Sequence, residues 1–207
     1  MSKFDLTLYL VTDPSARSGV IETAVAAAKA GATVIQLRDK HASDAAMTEQ
    51  AIALKQALAP HRVPLIINDR LSVALASRAD GLHLGQSDGQ LSVARLALGP
   101  DAILGLSVDQ PEHLSAKDMA AVDYFGVGPI FQTATKPGHA TPIGFDGLAA
   151  ICRRTDKPCV AIGGLDERHA PSVRRSRASG MAVVSAICAA DDPAQATRTI
   201  LQRWQAI

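Results

Sequence analysis

Short aliphatic runs recur along the chain, each followed by polar residues and then by a longer stretch with helical spacing. The runs cover residues 6–11, 33–37, 65–67, 81–84, 103–106, 124–127, 159–162 and 182–184. Continuous apolar runs of this length are expected of strands covered on both faces in a parallel sheet. Between them apolar positions repeat at helical spacing: Ile21, Val25 and Ala28 before Gly31, and Met47, Ile52, Leu54 and Leu58 before Pro60. The Gly and Pro that follow are helix stop signals. Further helices are predicted near 71–77, 91–98, 111–121, 146–154, 167–176 and 193–204. Eight strand–helix units, with no linker or low-complexity stretch, predict an α/β chain folded as a single (β/α)8 TIM barrel over residues 1–207. The competing arrangement is a doubly wound open sheet, which normally uses fewer strands for this length.

Composition refines this picture. Hydrophobic residues make up 47% of the 207 residues but aromatics only 3%, so the core must be aliphatic. Net charge is +1, which gives no reason to expect a nucleic-acid or anionic-membrane partner. Cys152, Cys159 and Cys188 lack CxxC or CxxH spacing and read as reduced core thiols. No apolar h-region follows Met1, and nothing approaches a membrane span in length, so a soluble, cytoplasmic protein is expected.

A barrel concentrates its chemistry at the carboxyl ends of its strands. The residues found after the runs fit: Thr12 and Asp13; Arg38, Asp39 and Lys40; Asn68 and Asp69; Gln86 and Asp88; Ser107; Thr133, Thr135 and Lys136; Gly163 and Gly164; and Ser185. In the segment 36–40, period two sends Gln36, Arg38 and Lys40 to one side, the inner mouth of the barrel. Two cations and an amide there call for an anion, with diphosphate suited to a forked guanidinium; the plain alternative is a charged loop in which Asp39 pairs with Arg38. Asp69 and Asp88 end neighbouring strands. Two carboxylates beside a diphosphate suit Mg2+, a hard cation that takes oxygen ligands; alternatively each aspartate caps a helix. Residues 126–136 read as a strand running into a loop of threonine hydroxyls and a lysine, donors that a phosphate accepts from. Gly163-Gly164 and Ser185 occupy the seventh and eighth loops, where many barrels hold a phosphate through backbone amides, although a Gly-Gly pair alone is also a plain turn. His83 lies within a strand and reads as a satisfied core histidine rather than a base. The other histidines share no metal-ligand spacing, and residues 174–177 read as a solvated helix face. The residues therefore imply a Mg2+-dependent barrel that holds a diphosphate and a phosphate, and a transfer in which diphosphate leaves.

Together these motifs resemble the thiamine phosphate synthase family. The segments that carry the resemblance are 9–13 (YLVTD), 36–40 (QLRDK), 67–70 (INDR), 80–86 (DGLHLGQ), 105–107 (GLS), 126–131 (GVGPIF), 133–136 (TATK), 161–164 (AIGG) and 183–187 (VVSAI), in the family's order along nearly the whole chain. The resemblance implies a (β/α)8 barrel that joins hydroxymethylpyrimidine diphosphate to a thiazole phosphate, giving thiamine monophosphate and diphosphate. It assigns Gln36, Leu37, Arg38, Asp39, Lys40, Asn68, Ser107 and Lys136 to the pyrimidine diphosphate. Arg38, Lys40, Ser107 and Lys136 would be catalytic. Asp69 and Asp88 would bind Mg2+. Thr133, Ala134, Thr135, Gly164, Val184 and Ser185 would hold the thiazole phosphate. Three positions depart from the family's pattern: Gln132 replaces a usual proline, and Arg177 and Ser179 replace a usual glycine and aspartate. A homologous thiazole tautomerase resembles the chain less, since it has histidine where Pro129 stands and lacks the two aspartates. Whether copies assemble as a homo-oligomer, and whether the natural thiazole is carboxylated, stay open at this level.

Overall fold

The structure, a computed structural model, describes residues 4–115, 118–133 and 141–206. Its strands are β1 (Leu8–Val11), β2 (Val34–Leu37), β3 (Leu65–Asn68), β4 (Gly81–Leu84), β5 (Ile103–Val108), β6 (Tyr124–Val127), β7 (Cys159–Ile162) and β8 (Gly180–Val183). Each pairs in parallel with its successor, and β8 returns to β1 to close the barrel. The open-sheet alternative is therefore excluded.

Alternation along these strands divides the core into two shells. Tyr9, Val11, Val34, Ile66, Tyr124, Val160 and Ala182 pack with one another inside the barrel. Their neighbours Leu8, Leu10, Ile35, Leu37, Leu65, Ile67, Leu82, Leu104, Phe125 and Val183 face outward into a second cluster with the helices. Because both faces are covered, the strands read as unbroken apolar runs rather than as alternating ones. The outer layer comprises α1 (Val20–Lys29), α2 (Asp44–Leu58), α3 (Leu71–Ser77), α4 (Leu91–Leu98), α5 (Gly144–Cys152), α6 (Ala170–Arg175), α7 (Ser185–Cys188) and α8 (Pro193–Gln205). Ser43 caps α2 by accepting from the Ala46 N–H, and Asp192 caps α8 by accepting from the Gln195 N–H, each satisfying an amide that the helix leaves unpaired.

The helix expected over 111–121 is not formed among the described residues. Short 3-10 turns occupy Pro111–Ser115 and Met119–Ala121 instead. Asp118 between them has φ 69°, a left-handed conformation that ends any right-handed helix. Conversely, the single turn α7 directly after β8 has no helical period long enough to be read from sequence. All three cysteines are free thiols, with Cys159 and Cys188 buried.

Candidate active site

A cavity of about 370 Å3 opens at the carboxyl ends of the strands. Gln36, Arg38 and Lys40 from the end of β2 all line it, as their period-two spacing requires. The Thr12 N–H donates to the Gln36 carbonyl and the Arg38 N–H to Thr12 Oγ1, tying the ends of β1 and β2 together. Arg70 supports the loop that follows: its guanidinium donates to the Ala42 carbonyl at 2.6 Å and to the Asp39 carbonyl at 3.3 Å.

Asn68 and Asp69 enter the cavity from β3, and Asp88 from the loop after β4. Asp69 has φ 63° and its N–H donates to the His83 carbonyl, which aims its side chain at the neighbouring strand end. Lys40 Nζ lies 2.5 Å from Asp69 Oδ2. The Asp88 carboxylate accepts from the Gly85 N–H at 2.7 Å. Burial, and then the Asp69 carboxyl beside it, push the Asp88 carboxyl above its ordinary value, while the Gly85 N–H and Lys40 work the other way. Neither aspartate caps a helix: α3 and α4 begin after Arg70 and Gln90, and neither has a side-chain cap. The residues fit a hard divalent cation. Two carboxylates that repel each other in a partly buried pocket present oxygen ligands, and leave the remaining coordination positions for water and a substrate phosphate.

Ser107, at the end of β5, also lines the cavity. Its carbonyl accepts from Gln86 Nε2 at 2.6 Å, and its Oγ lies 2.9 Å from His83 Nε2. On the far wall stand Thr133, Gly164, Val184 and Ser185. Gly163 and Gly164 have φ 104° and 65°, and a Cβ on Gly164 would lie 2.8 Å from Phe131 Cβ. The glycines thus let the seventh loop lie against the sixth, where the Phe131 N–H donates to the Gly163 carbonyl. Ala134, Thr135 and Lys136 lie outside the described residues.

This architecture recurs in proteins of known sequence and structure. The family profile described as thiamine monophosphate synthase matches residues 8–187. A thiamine-phosphate synthase of Xanthobacter autotrophicus is 53% identical over 95% of this chain and 94% of that protein. One from a Psychrobacter species is 48% identical over 95% of this chain and 94% of the relative. The solved structure of a thiamine phosphate pyrophosphorylase from Pyrococcus furiosus superposes with a TM-score of 0.87 at 34% identity, covering 97% of this chain and 96% of that one. The chain belongs to the thiamine monophosphate synthase family. Its named relatives are transferases, which places the chain among enzymes.

Of the residues that the thiamine phosphate synthase resemblance assigned to substrate or metal, two among the described residues fall outside the cavity lining, as do the strand-end residues Thr12 and Asp13. Leu37 is fully buried in the outer shell, because the alternation that turns Gln36 and Arg38 inward turns Leu37 toward the helices. The Asp39 carboxylate does not pair with Arg38; it accepts from the N–H groups of His41 and Ala42 and so shapes the loop. Ser87, Asp109 and Leu165 also line the cavity and escaped the sequence reading. Asp109 follows β5, and His113 Nδ1 lies 2.9 Å from its Oδ1, close enough for an ion pair but without hydrogen-bond alignment. The rule that polar residues after a strand line the mouth would have found it. Among the described residues no helix is long and apolar enough to cross a membrane.

Proposed function

We propose that the protein is a Mg2+-dependent, cytoplasmic thiamine-phosphate synthase that joins hydroxymethylpyrimidine diphosphate to a thiazole phosphate and releases diphosphate. One observation carries this reading: in a member of the family, Arg38, Lys40, Asp69, Asp88 and Ser107 reach one cavity from four consecutive strand ends. Gln36 and Asn68 would orient the pyrimidine half, with Arg38, Lys40 and Lys136 on the diphosphate. Asp69 and Asp88 would hold Mg2+, which supplies positive charge to a departing diphosphate. Thr133, Ala134, Thr135 and the amides of Gly164, Val184 and Ser185 would take the thiazole phosphate on the opposite wall.

The chemistry asks for no general base on the nucleophile. The bond from the pyrimidine methylene carbon to the diphosphate oxygen breaks with its electron pair on oxygen, and the electron-rich aminopyrimidine stabilises the cation left behind. The thiazole nitrogen then forms the new C–N bond with its lone pair. The protein's task is to stabilise charge that develops on the leaving group and to hold the nucleophile in line. Arg38 suits the first role, since its planar fork presents paired donors to adjacent phosphate oxygens.

The test is direct. With both precursors and Mg2+, equal amounts of diphosphate and thiamine monophosphate are expected, and chelation of the metal should stop both. Formation of thiamine phosphate at an undiminished rate without a divalent cation would refute the metal assignment, and absence of product with Mg2+ would refute the reaction.

A further inference from the structure

Polar side chains facing into the barrel join in a single chain of hydrogen bonds. Gln36 Nε2 donates to the Tyr9 hydroxyl at 2.9 Å. The Tyr9 and Tyr124 hydroxyls are 2.8 Å apart. The Tyr124 hydroxyl lies 2.9 Å from His83 Nδ1, and His83 Nε2 lies 2.9 Å from Ser107 Oγ. Both ends of the chain, Gln36 and Ser107, line the cavity, while the two tyrosines between them are buried.

We infer that His83 is a positioning residue that holds the Ser107 hydroxyl as a hydrogen-bond donor toward the departing diphosphate, at the end of a one-way chain that starts at the Gln36 amide. The inference rests on the proposed reaction and adds a residue to it. Direction follows from the hydrogens available. Each phenol has one. Tyr9 accepts from Gln36 and gives its hydrogen to Tyr124; Tyr124 gives its own to His83 Nδ1. A neutral imidazole that accepts at Nδ1 carries its hydrogen on Nε2, and there it donates to Ser107. Having accepted from within the barrel, Ser107 turns its hydroxyl hydrogen to the cavity. The reverse chain would need the Gln36 amide turned over, would use the serine hydrogen on His83, and would face oxygen lone pairs toward an anion.

Packing supports a fixed ring. A Cβ at Gly105 would lie 2.5 Å from His83 Nδ1, and one at Gly126 would lie 2.9 Å from His83 Cε1, so the two strands beside His83 lack side chains where its ring sits. The rings of His83 and Tyr124 are 5.5 Å apart. Burial holds both tyrosine hydroxyls well above their ordinary value, so each keeps the hydrogen that the chain requires.

Three measurements test the inference. In 15N–1H spectra of the wild-type protein labelled in its histidine rings, His83 should carry its hydrogen on Nε2 with Nδ1 bare; the Nδ1–H tautomer would reverse the chain and overturn the inference. Tyr124→Phe removes only one hydroxyl, so the tautomer should no longer be fixed, and single-turnover diphosphate release should fall about 10-fold with little change in affinity for the pyrimidine diphosphate. His83→Leu should lose about 10- to 100-fold, with partial recovery in His83→Gln, which retains a donor. Placed on Ser107→Ala, His83→Leu should cost nothing more, because it acts through the missing hydroxyl. An additive further loss, or a wild-type rate in folded His83→Leu, would overturn the inference while leaving the reaction intact. An inactive wild type would instead refute the reaction itself.

Discussion

Arg95 and Arg38 stand at opposite ends of the barrel and are used in opposite ways. Arg95, at the amino-terminal end, donates to the Asp123 carboxylate at 2.6 Å and to the carbonyls of Gly99, Ala102 and Ala121. Asp123 in turn accepts from the Leu104 N–H at the start of β5. The same device recurs two units earlier, where Asp80 accepts from the Leu65 N–H and pairs with Lys55. These four charges are satisfied by the protein, and the two aspartates fix where β5 and β3 begin. At the other end Arg38 makes no side-chain hydrogen bond or ion pair among the described residues, and two carboxylates are pressed together beside it. A charge in a cavity wall that makes no such bond among the described residues suits a ligand, which is the role proposed above for Arg38. On the proposed function, the contrast is between charges that complete the fold and charges that would take an anion and its cation.

The sharpest way to break this contrast is to remove one arginine from each end. Arg38→Ala should lower the rate of diphosphate release by about 10²- to 10³-fold, the usual loss when one donor to a developing oxyanion goes, with thermal stability within about 0.5 kcal/mol of wild type. An equal loss of stability and rate would place Arg38 with the structural charges. Asp88→Asn comes next. Activity with Mg2+ should drop about 10²-fold, as expected when a charge-stabilising metal is lost. The metal-free variant should also melt higher than wild type. The sign follows from the raised carboxyl: a carboxylate disfavoured in the fold contributes best when protonated, and this contribution is lost as pH rises through its folded value. The gap between Asp88→Asn and wild type should therefore widen with rising pH in chelator, and a constant gap would refute the account.

Arg95→Ala should do the reverse of Arg38→Ala. It leaves Asp123 unpaired and three carbonyls without their donor. The side chains of Arg95 and Asp123 are only 20% and 27% exposed, so the loss should be about 2 kcal/mol, below the figure for a fully buried pair. The melting temperature should fall by about 4–8 °C while the rate per folded molecule stays unchanged.

Much of the fold, and part of the cavity wall, was legible in the sequence. Five of the eight strand runs were located to within a residue at both ends, because their outward-facing residues are almost all leucine, isoleucine and other apolar types, whatever single polar residue faces inward. The period-two reading of Gln36, Arg38 and Lys40 also held. That same rule excluded Leu37, which only the resemblance had drawn into the site as part of a contiguous segment. The region 111–121 failed because a left-handed Asp118 carries no signal in hydrophobic spacing. The structural role of Asp80 and Asp123 was not readable either: an aspartate before a strand looks like any helix-end charge until the neighbouring strand's N–H is seen against it. The inward-facing hydroxyls were hidden for a related reason. Tyr9 and Tyr124 read as ordinary apolar members of their strands, and only closure of the barrel brings β1 and β6 across its interior to within a hydrogen bond.

The smallest expected effect lies where the two kinds of charge meet, at the loop after β7. Asp166 follows the cavity-lining Gly163, Gly164 and Leu165, yet it works as the structural aspartates do. Its carboxylate accepts from the Arg168 N–H at 3.0 Å and from the Arg168 guanidinium, and its own N–H donates to His169 Nδ1 at 3.1 Å. The Arg168 guanidinium lowers the carboxyl most, burial opposes it, and the Arg168 N–H adds a further lowering, so the carboxyl lies below its ordinary value. Arg168 is 77% exposed, so the ion pair adds little and the cap carries the stabilisation. Asp166→Ala should cost about 1 kcal/mol at neutral pH, near 2–4 °C in melting temperature. Because the folded carboxyl is depressed, its contribution is present above the unfolded value and lost as pH falls through the folded one, so variant and wild type should converge in acid. The same variant should leave turnover nearly unchanged at saturating substrate. If turnover fell tenfold with stability intact, Asp166 would belong with Arg38, and the line between fold-completing and ligand-awaiting charges would have to be redrawn through the seventh loop.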